Sequence, residues 1–512
     1  MDIVQTLRLA ANGSVEGIVR IGMDAITGTI MSSMKRPVLR CIDLAGVVRD
    51  TPRRILCIAR VAMSFVGIVY IWSFWRQLDF TWHGQPQWLG SVLCAALVAV
   101  LALRALGLGG WMMDRVLSVI HFVVAQYLLM RSYPYPTVNE GMYMMLAFWS
   151  MFIQLNPPKG QTIPAWAPLL LSINIAIVLH TSGLAKCGDR IWQDGTGFYH
   201  FLRLNWIRHP SADWLLAHTT ALKVMNYAAL GMEVGCLPLM FWRRTRPVAV
   251  AMIFGFFASL IYPFRMDMIG EVGLCVSLIA LAGALIALRE RQKLSGLDWA
   301  LAFYMTIVGG CDLTHAWGDI TSGIAQRTCW FIHDTLDGWY PQSARWVNDH
   351  ATQLRDNVLF TSQHTIGICA FRILVTMPDG STVEPIQVFN PDRTGGRDTQ
   401  GFGCTRHYQS CIYNIGGFAR DRYQRHDDID VLLTHAVSKA GGVYAQLMVS
   451  PLDQSFDAWR VVHKLTPPQA ALRENNAPWL LAGMLGASIA LTRLTVSYGH
   501  AIKPRSGVPS IE

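Results

Sequence analysis

The sequence predicts a mainly α-helical, polytopic transmembrane helical bundle of about nine spans, with one candidate C-terminal span and a β-rich extracytoplasmic domain. Of its 512 residues, 52% are hydrophobic and only 15% are charged, whereas about a quarter of the residues in soluble domains are charged. Apolar runs close to the roughly 20 residues that a spanning helix needs recur through the first 312 residues. Beyond residue 312 the sequence becomes polar and rich in strand signals.

Residues 1–50 form an amphipathic N-terminal segment. Val15, Ile18, Val19 and Ile26 recur at roughly helical spacing among basic residues. This pattern suits a helix that lies on the membrane surface, or one that packs on the bundle. No cleavable signal peptide is evident, because the segment lacks a continuous apolar core.

Residues 51–312 carry nine apolar runs, which we interpret as a transmembrane bundle. Proline- and glycine-containing breakers separate them, as at residues 133–136 and 156–160. The runs cover residues 55–75, 89–108, 112–131, 140–156, 164–186, 219–241, 247–264, 268–289 and 297–312. The fourth and ninth runs are shorter than most of the others.

The positions of Lys and Arg predict the orientation. Basic clusters at residues 49–54, 243–246 and 289–293 fall on one side if every run spans. The positive-inside rule puts that side in the cytoplasm. The end of the fifth run, at Lys186, then faces outward, and residues 313–475 are expected to be extracytoplasmic.

Residues 313–475 are predicted to form the β-rich domain. Residues 370–377 and 381–389 flank Pro378-Asp379-Gly380, and Asp-Gly between apolar runs favours a β-hairpin. Cys404 and Cys411 lie in a polar, glycine-rich stretch and are a disulfide candidate if the domain faces an oxidising compartment. Two free thiols are the equal alternative.

Residues 476–512 contain the apolar run 478–497, followed by a basic tail. We interpret this region as a C-terminal transmembrane helix and tail. Arg493 inside the run leaves a second interpretation, in which the helix docks on the outer domain.

The strongest candidate for chemistry is Lys186, at the end of the fifth run. An ionisable side chain at membrane depth costs about 2.5 kcal/mol or more at the bilayer centre and is usually functional. A desolvated lysine can be neutral, and a neutral amine is a base. We therefore interpret Lys186 as a catalytic base in a cavity open to lipid. The alternative is a lysine that snorkels to the interface.

His180 and Glu233 are the next candidates. His180 precedes Lys186 in the same run, and its alternative role is that of a histidine satisfied within the bundle. Glu233 lies in mid-span, where a carboxyl group must be protonated or paired. It is a structural partner for Lys186 or for His180. A catalytic Lys186 requires Glu233 to be protonated or turned away.

Several functional classes lack support. The sequence has no phosphate-binding loop, dinucleotide-binding glycine motif, zinc-protease motif or nucleophile elbow. Cys311 and His315 have helical spacing, but two ligands alone are weak grounds for a metal, so we expect none. The formal net charge of +9 is explained by the loops between spans, and no motif supports nucleic-acid binding.

Four features together resemble a known family: Gly183-Leu184-Ala185-Lys186, then Trp192-Gln193-Asp194-Gly195, then Glu233 and Pro238. They are similar to the HTTM (horizontally transferred transmembrane) domain of vitamin K-dependent γ-glutamyl carboxylase and of many bacterial relatives. The similarity covers roughly residues 50–290. It also includes Arg60 and the helix end from Phe148-Trp149 to Asn156-Pro157-Pro158.

The resemblance implies a chemistry and a location. In the carboxylase the lysine at the Lys186 position deprotonates vitamin K hydroquinone, whose reaction with oxygen drives carboxylation of glutamate. It implies a catalytic role for Lys186 and His180, with a reduced quinone as cofactor. Trp192, Asp194, Glu233 and Asn139 are then expected to support the substrate or the fold. The implied location is a bacterial inner membrane.

Two departures from the carboxylase concern its second half-reaction. One carboxylase histidine corresponds here to Asn139 or Glu140, and another to Leu260. The machinery for glutamate carboxylation is therefore incomplete, and the second substrate is expected to differ.

Two functional hypotheses follow. The first is an integral membrane enzyme that uses Lys186 as base, with a quinol and oxygen, to modify a peptide or small substrate. The second is a non-enzymatic membrane accessory protein for maturation or export of a secreted peptide. In both, the lipid bilayer is a partner and nucleic acid is not.

Overall fold

The computed structural model describes residues 51–75, 78, 87–131, 138–158, 163, 165–203, 209–264, 269–289, 296–338, 369–387, 391, 426–451 and 459–465. The amphipathic segment 1–50, the stretch with Cys404 and Cys411 and the candidate span 478–497 lie outside these residues. What the sequence predicts for these regions stays a prediction.

Each of the nine apolar runs is helical. In order they are α1 (Thr51–Trp75), α2 (Gln87–Leu106), α3 (Gly110–Arg131), α4 (Val138–Ser150), α5 (Trp166–Cys187), α8 (Thr219–Phe241), α9 (Arg246–Ile261), α10 (Ile269–Arg289) and α11 (Gly296–Ile320). Short helices α6 (Arg190–Gln193) and α7 (Gly197–Leu202) and a 3₁₀ helix (Pro210–Ala217) link α5 to α8. A further helix, α12 (Gly323–Gly338), follows α11.

Five described helices are long and apolar enough to cross a membrane. These spans are Thr51–Trp72, Trp88–Leu106, Trp166–Cys187, Thr219–Phe241 and Ile269–Ala287. The 13 residues of α4 extend only about 20 Å, less than the roughly 30 Å of a hydrocarbon core. The structure therefore supports a multi-pass membrane protein, while the count of nine spans stays a prediction.

The fifth helix is the centre of the bundle. It packs against α4, α8, α10 and α11, and 94% of its most apolar window is buried in protein. The corresponding fractions for α2 and α8 are only 28% and 33%, so the described residues leave much of both helices uncovered. Because α5 is enclosed, polar side chains on it face protein rather than lipid.

Two helix ends differ from the sequence boundaries. The fourth run was expected to extend to residue 156, but α4 ends at Ser150 and the chain turns before Pro157-Pro158. A residue that precedes proline is disfavoured in a helix. The ninth run was expected to end at residue 312, where the outer domain was to begin, but α11 continues to Ile320.

The described C-terminal residues form a four-stranded antiparallel sheet with one helix. Strands β1 (Cys369–Thr376), β2 (Thr382–Val383), β3 (Tyr444–Pro451) and β4 (Arg460–Leu465) have the spatial order β2-β1-β3-β4. Helix α13 (His426–Ala440) packs on β1, β3 and β4. Alternate residues of β1, namely Phe371, Ile373 and Val375, are buried, as expected for a sheet with one covered face.

The predicted hairpin joins β1 to β2. Val375 pairs with Val383, and Gly380 in the turn has a φ of 82°, a conformation that favours glycine. Hydrogen bonds from the hydroxyl and backbone N–H of Ser381 lower the pKa of the Asp379 carboxyl group. β2 is shorter than the predicted run 381–389, which contains Pro385, a residue that cannot donate to a strand ladder.

Candidate functional site: a buried lysine–glutamate pair

The chain reverses immediately after Lys186. The backbone N–H of Gly188 donates to the Leu184 carbonyl and closes α5. The Asp189 carboxylate then accepts a hydrogen bond from the Ile191 N–H at 3.3 Å and begins α6, as aspartate at an N-cap commonly does. This turn brings Trp192 back over the end of α5.

Lys186 forms an ion pair with Glu233. Its Nζ lies 2.5 Å from Glu233 Oε1 and 3.0 Å from Ser182 Oγ. The Trp192 ring centroid is 5.0 Å from the same nitrogen, within the range of a cation–π contact. Lys186 and Glu233 are each only 2% exposed. The ammonium is therefore held by a carboxylate, a hydroxyl group and an aromatic face inside the protein.

This geometry revises two expectations about Lys186. The expected cavity open to lipid is wrong for this conformation, because protein covers the amine on α5. Glu233 is also not turned away from Lys186, and is its direct partner. A basic Lys186 was expected to require that Glu233 be either protonated or turned away. Because Glu233 is not turned away, only its protonation would meet that requirement.

Gly183 allows the close approach of α5 and α8. A Cβ atom at this position would lie 2.9 Å from Glu233 Cβ and 2.9 Å from Val234 Cγ2, closer than side-chain carbons approach without displacement. Gly183 therefore determines how near Glu233 comes to Lys186, which lies one turn further along α5.

Glu233 keeps one oxygen without a hydrogen bond. Its Oε2 is fully buried, and none of the described residues donates to it. A buried acceptor in this state costs about 1–3 kcal/mol. Beside the Lys186 ammonium, Oε2 is therefore placed to accept a hydrogen bond from a hydroxyl group that the described residues do not supply.

His180 binds a backbone carbonyl that Pro238 leaves unoccupied. Pro238 has no N–H with which to donate to the Val234 carbonyl one turn earlier in α8. His180 Nδ1 lies 2.8 Å from that oxygen. Because a carbonyl only accepts, Nδ1 carries the hydrogen, and Nε2 of the neutral ring is unprotonated.

His180 therefore joins α5 to α8, and among the described residues it makes no hydrogen bond with Lys186 or Glu233. Its ring also lies 6.0 Å from that of Trp317 in α11. The expectation that Glu233 would partner either Lys186 or His180 is decided in favour of Lys186.

Several residues that the sequence interpretation missed hold Trp192 in place. Asn226 Nδ2 donates to the Trp192 carbonyl at 3.0 Å, and the Tyr227 hydroxyl donates to the Gln193 carbonyl at 2.8 Å. A Cβ at Gly197 would lie 2.8 Å from the Trp192 ring. Asn226 stands two helical turns before Glu233 in α8, so the two residues share one face of the helix. This spacing is the sequence signal that could have identified Asn226.

The other predicted supporting residues do not join the pair in the described structure. Asp194 lies at the surface, where its carboxylate is 3.6 Å from Arg190 Nε. Asn139 is part of α4, but its side chain lies outside the described ones. No group of three or more His, Cys, Asp or Glu residues in the described ranges has the arrangement of a metal site.

The pair lies within a recognisable domain. The family model of the HTTM domain matches residues 141–281. This match confirms the resemblance to the HTTM family over a segment that contains Lys186, Trp192 and Glu233. The HTTM segment begins within α4 and ends within α10. No curated protein and no solved structure matches the chain.

Proposed function

We propose that this chain is an integral membrane enzyme in which the Lys186–Glu233 pair removes a proton from a hydroxyl group of a quinol-type molecule. The observation that carries the proposal is the buried Oε2 of Glu233, which accepts no hydrogen bond from the described residues beside the Lys186 ammonium. The HTTM match supports it, because the carboxylase that this domain resembles deprotonates a hydroquinone.

The pair acts as one basic unit. Lys186 and Glu233 share one proton between two basic atoms 2.5 Å apart, so together they have the capacity for a second. A hydroxyl proton taken up by the pair gives an ammonium beside a carboxylic acid. The resulting positive charge stabilises the oxyanion left on the substrate, and exclusion of water strengthens this attraction.

The supporting side chains hold the amine in place. Ser182 accepts one hydrogen bond from Lys186 Nζ, and the Trp192 ring faces the same atom. Both contacts keep the amine beside Glu233. A reduced quinone fits these residues, since Oε2 is an available acceptor and Trp192 provides an aromatic face. When bound, it would supply the oxygen-dependent chemistry.

We place the pair near the outer face of a bacterial inner membrane, with a secreted peptide or a small molecule as second substrate. The support is the distribution of Lys and Arg along the apolar runs. A periplasm-specific reporter fused near residue 400 should be active. Activity of a cytoplasm-specific reporter at the same position would contradict this orientation.

A non-enzymatic accessory function for maturation or export of a secreted peptide is the second candidate. The observation that favours it is that Glu233, Ser182 and Trp192 all contact Lys186. Such a pair can hold α5 against α8 without chemistry. In this case only the charge of residue 186 matters, and arginine can replace lysine.

Quinol-dependent oxygen uptake by the purified chain in lipid separates the two functions, with vitamin K hydroquinone as the probe. Lys186→Ala and Lys186→Arg should both abolish uptake, because alanine has no amine and an arginine guanidinium stays protonated and cannot share its proton with Glu233. Lys223→Ala is the matched control, since Lys223 is exposed on α8, and it should behave as wild type. Thermal unfolding checks that each variant is folded.

Two outcomes would contradict the enzyme proposal. One is the absence of quinol-dependent uptake by the wild type. The other is wild-type uptake by both Lys186 variants. Either result would leave the accessory function, which predicts that Lys186→Arg supports maturation of the secreted peptide and Lys186→Ala does not.

A further inference from the structure

A second buried polar cluster lies at the opposite end of the bundle from Lys186. Its members are Arg60 of α1, Arg104 of α2 and Asp114 of α3, with exposed fractions of 7%, 0% and 2%. Asn156, in the link before α5, donates through Nδ2 to the Gly107 carbonyl beside this cluster at 3.4 Å. Lys186 is at the far end of α5, whose 22 residues extend about 33 Å.

Arg104 is paired, but one of its donors is not used. Its Nε donates to Asp114 Oδ1 at 3.2 Å and its Nη1 to His121 Nδ1 at 3.1 Å. Since a guanidinium only donates, His121 carries its proton on Nε2, which lies 2.6 Å from the Tyr143 hydroxyl. Arg104 Nη2 is buried and has no acceptor among the described residues.

Arg60 lacks a partner of opposite charge in the described structure. Its guanidinium packs against Gly107, just past the end of α2, where a Cβ atom would overlap it; Gly107 has a φ of 67°. Both Nε and Nη1 of Arg60 are buried without an acceptor among the described residues.

Among the described residues at this end of the bundle, the two buried guanidinium groups of Arg60 and Arg104 outnumber the buried carboxylate of Asp114. Asp114 is the only buried carboxylate among the described side chains of α1–α4. A buried guanidinium without a counter-charge is costly in a membrane protein. An anion at this position would offset that cost.

We propose that Arg60 and the Nη2 donor of Arg104 bind a phosphate group at this end of the bundle. A guanidinium presents a planar fork of N–H donors that matches two oxygens of a phosphate. The donors Nε and Nη1 lie on different edges of the Arg60 guanidinium, so each edge has a donor available to a phosphate oxygen. The phosphate comes from solution or from the headgroup of an anionic phospholipid, since both present the same oxygens.

The experiment compares Arg60→Gln with Arg54→Gln in the full chain. Both residues are arginines of α1, but Arg54 is exposed and is the matched control. Thermal unfolding in neutral detergent is followed against inorganic phosphate, with chloride at equal ionic strength as reference. Native mass spectrometry then counts phosphatidylglycerol retained from nanodiscs with phosphatidylcholine as background.

The wild type and Arg54→Gln should bind phosphate, phosphatidylglycerol or both, and Arg60→Gln should bind about 10- to 100-fold more weakly. Stabilisation by inorganic phosphate identifies a soluble source, and selective retention of phosphatidylglycerol identifies a lipid headgroup. If Arg60→Gln does not fold, Arg60→Lys keeps the charge, lacks the separate Nε and Nη1 donors and should also bind more weakly.

The proposal is overturned if the wild type prefers neither phosphate to chloride nor phosphatidylglycerol to phosphatidylcholine. It is equally overturned if Arg60→Gln, or Arg60→Lys in its place, retains wild-type affinity.

Discussion

Glu233→Gln should destabilise the bundle by about 3–5 kcal/mol, because it leaves the Lys186 ammonium buried without a counter-charge. At 2.5 Å, the Coulomb attraction of the pair is about 7 kcal/mol with an effective dielectric constant of about 20. The loss is smaller than this value because the contacts of Lys186 with Ser182 and Trp192 remain.

The double variant Lys186→Met, Glu233→Gln tests the same reasoning from the opposite side. The double variant has neither charge, so no buried charge is left without its partner. The double variant should therefore be closer to the wild type in stability than Glu233→Gln alone. Asp194→Asn is the control, because it makes the same carboxylate-to-amide change in an exposed pair and should cost less than about 0.5 kcal/mol.

The assay is reversible unfolding in mixed micelles, followed by circular dichroism over a denaturant series. A change of less than about 1 kcal/mol in the free energy of unfolding of Glu233→Gln would contradict a stabilising ion pair. Additive losses from Lys186→Met and Glu233→Gln in the double variant would contradict it too, because the two residues would then act independently.

Gly183→Ala should destabilise by about 1–3 kcal/mol and weaken quinol-dependent activity, since its Cβ would push α8 from α5; unchanged unfolding and activity would contradict the close contact. His180→Ala should cost about 1–3 kcal/mol by leaving the Val234 carbonyl unpaired. The cost should fall in a Pro238→Ala background, where a backbone N–H can reach that carbonyl, and an equal cost in both backgrounds would argue against this role. Cys404 and Cys411 should resist alkylation under non-reducing, denaturing conditions if they form the predicted disulfide, and modification of both thiols would exclude it.

Much of the local structure follows from short stretches of sequence. Each of the nine apolar runs is a helix because its hydrophobic residues continue over several turns. The hairpin at Asp379-Gly380 is equally local, since only a few residues and one left-handed glycine define it. The ends of α4 and α11 were less well predicted, because hydropathy alone does not locate a helix terminus.

The sequence also singled out Lys186, because a lysine at the end of a long apolar run is unusual. It left the partner of Glu233 undecided between Lys186 and His180. Choosing between them requires the relative position of two helices whose key residues are 47 positions apart in the chain. The hydrophobic periodicity of each helix does not give the relative position of the two helices.

The sequence alone predicts a multi-pass helical membrane protein, a resemblance to the HTTM domain, and an ionisable residue at the end of the fifth apolar run. Only the tertiary structure decided that Gly183 brings α8 close enough for Glu233 to pair with Lys186, and that His180 instead binds the carbonyl left unoccupied by Pro238. The physical reason is that helices are stabilised by local hydrogen bonds and hydropathy, whereas the neighbours of a buried charge are set by how distant helices cross.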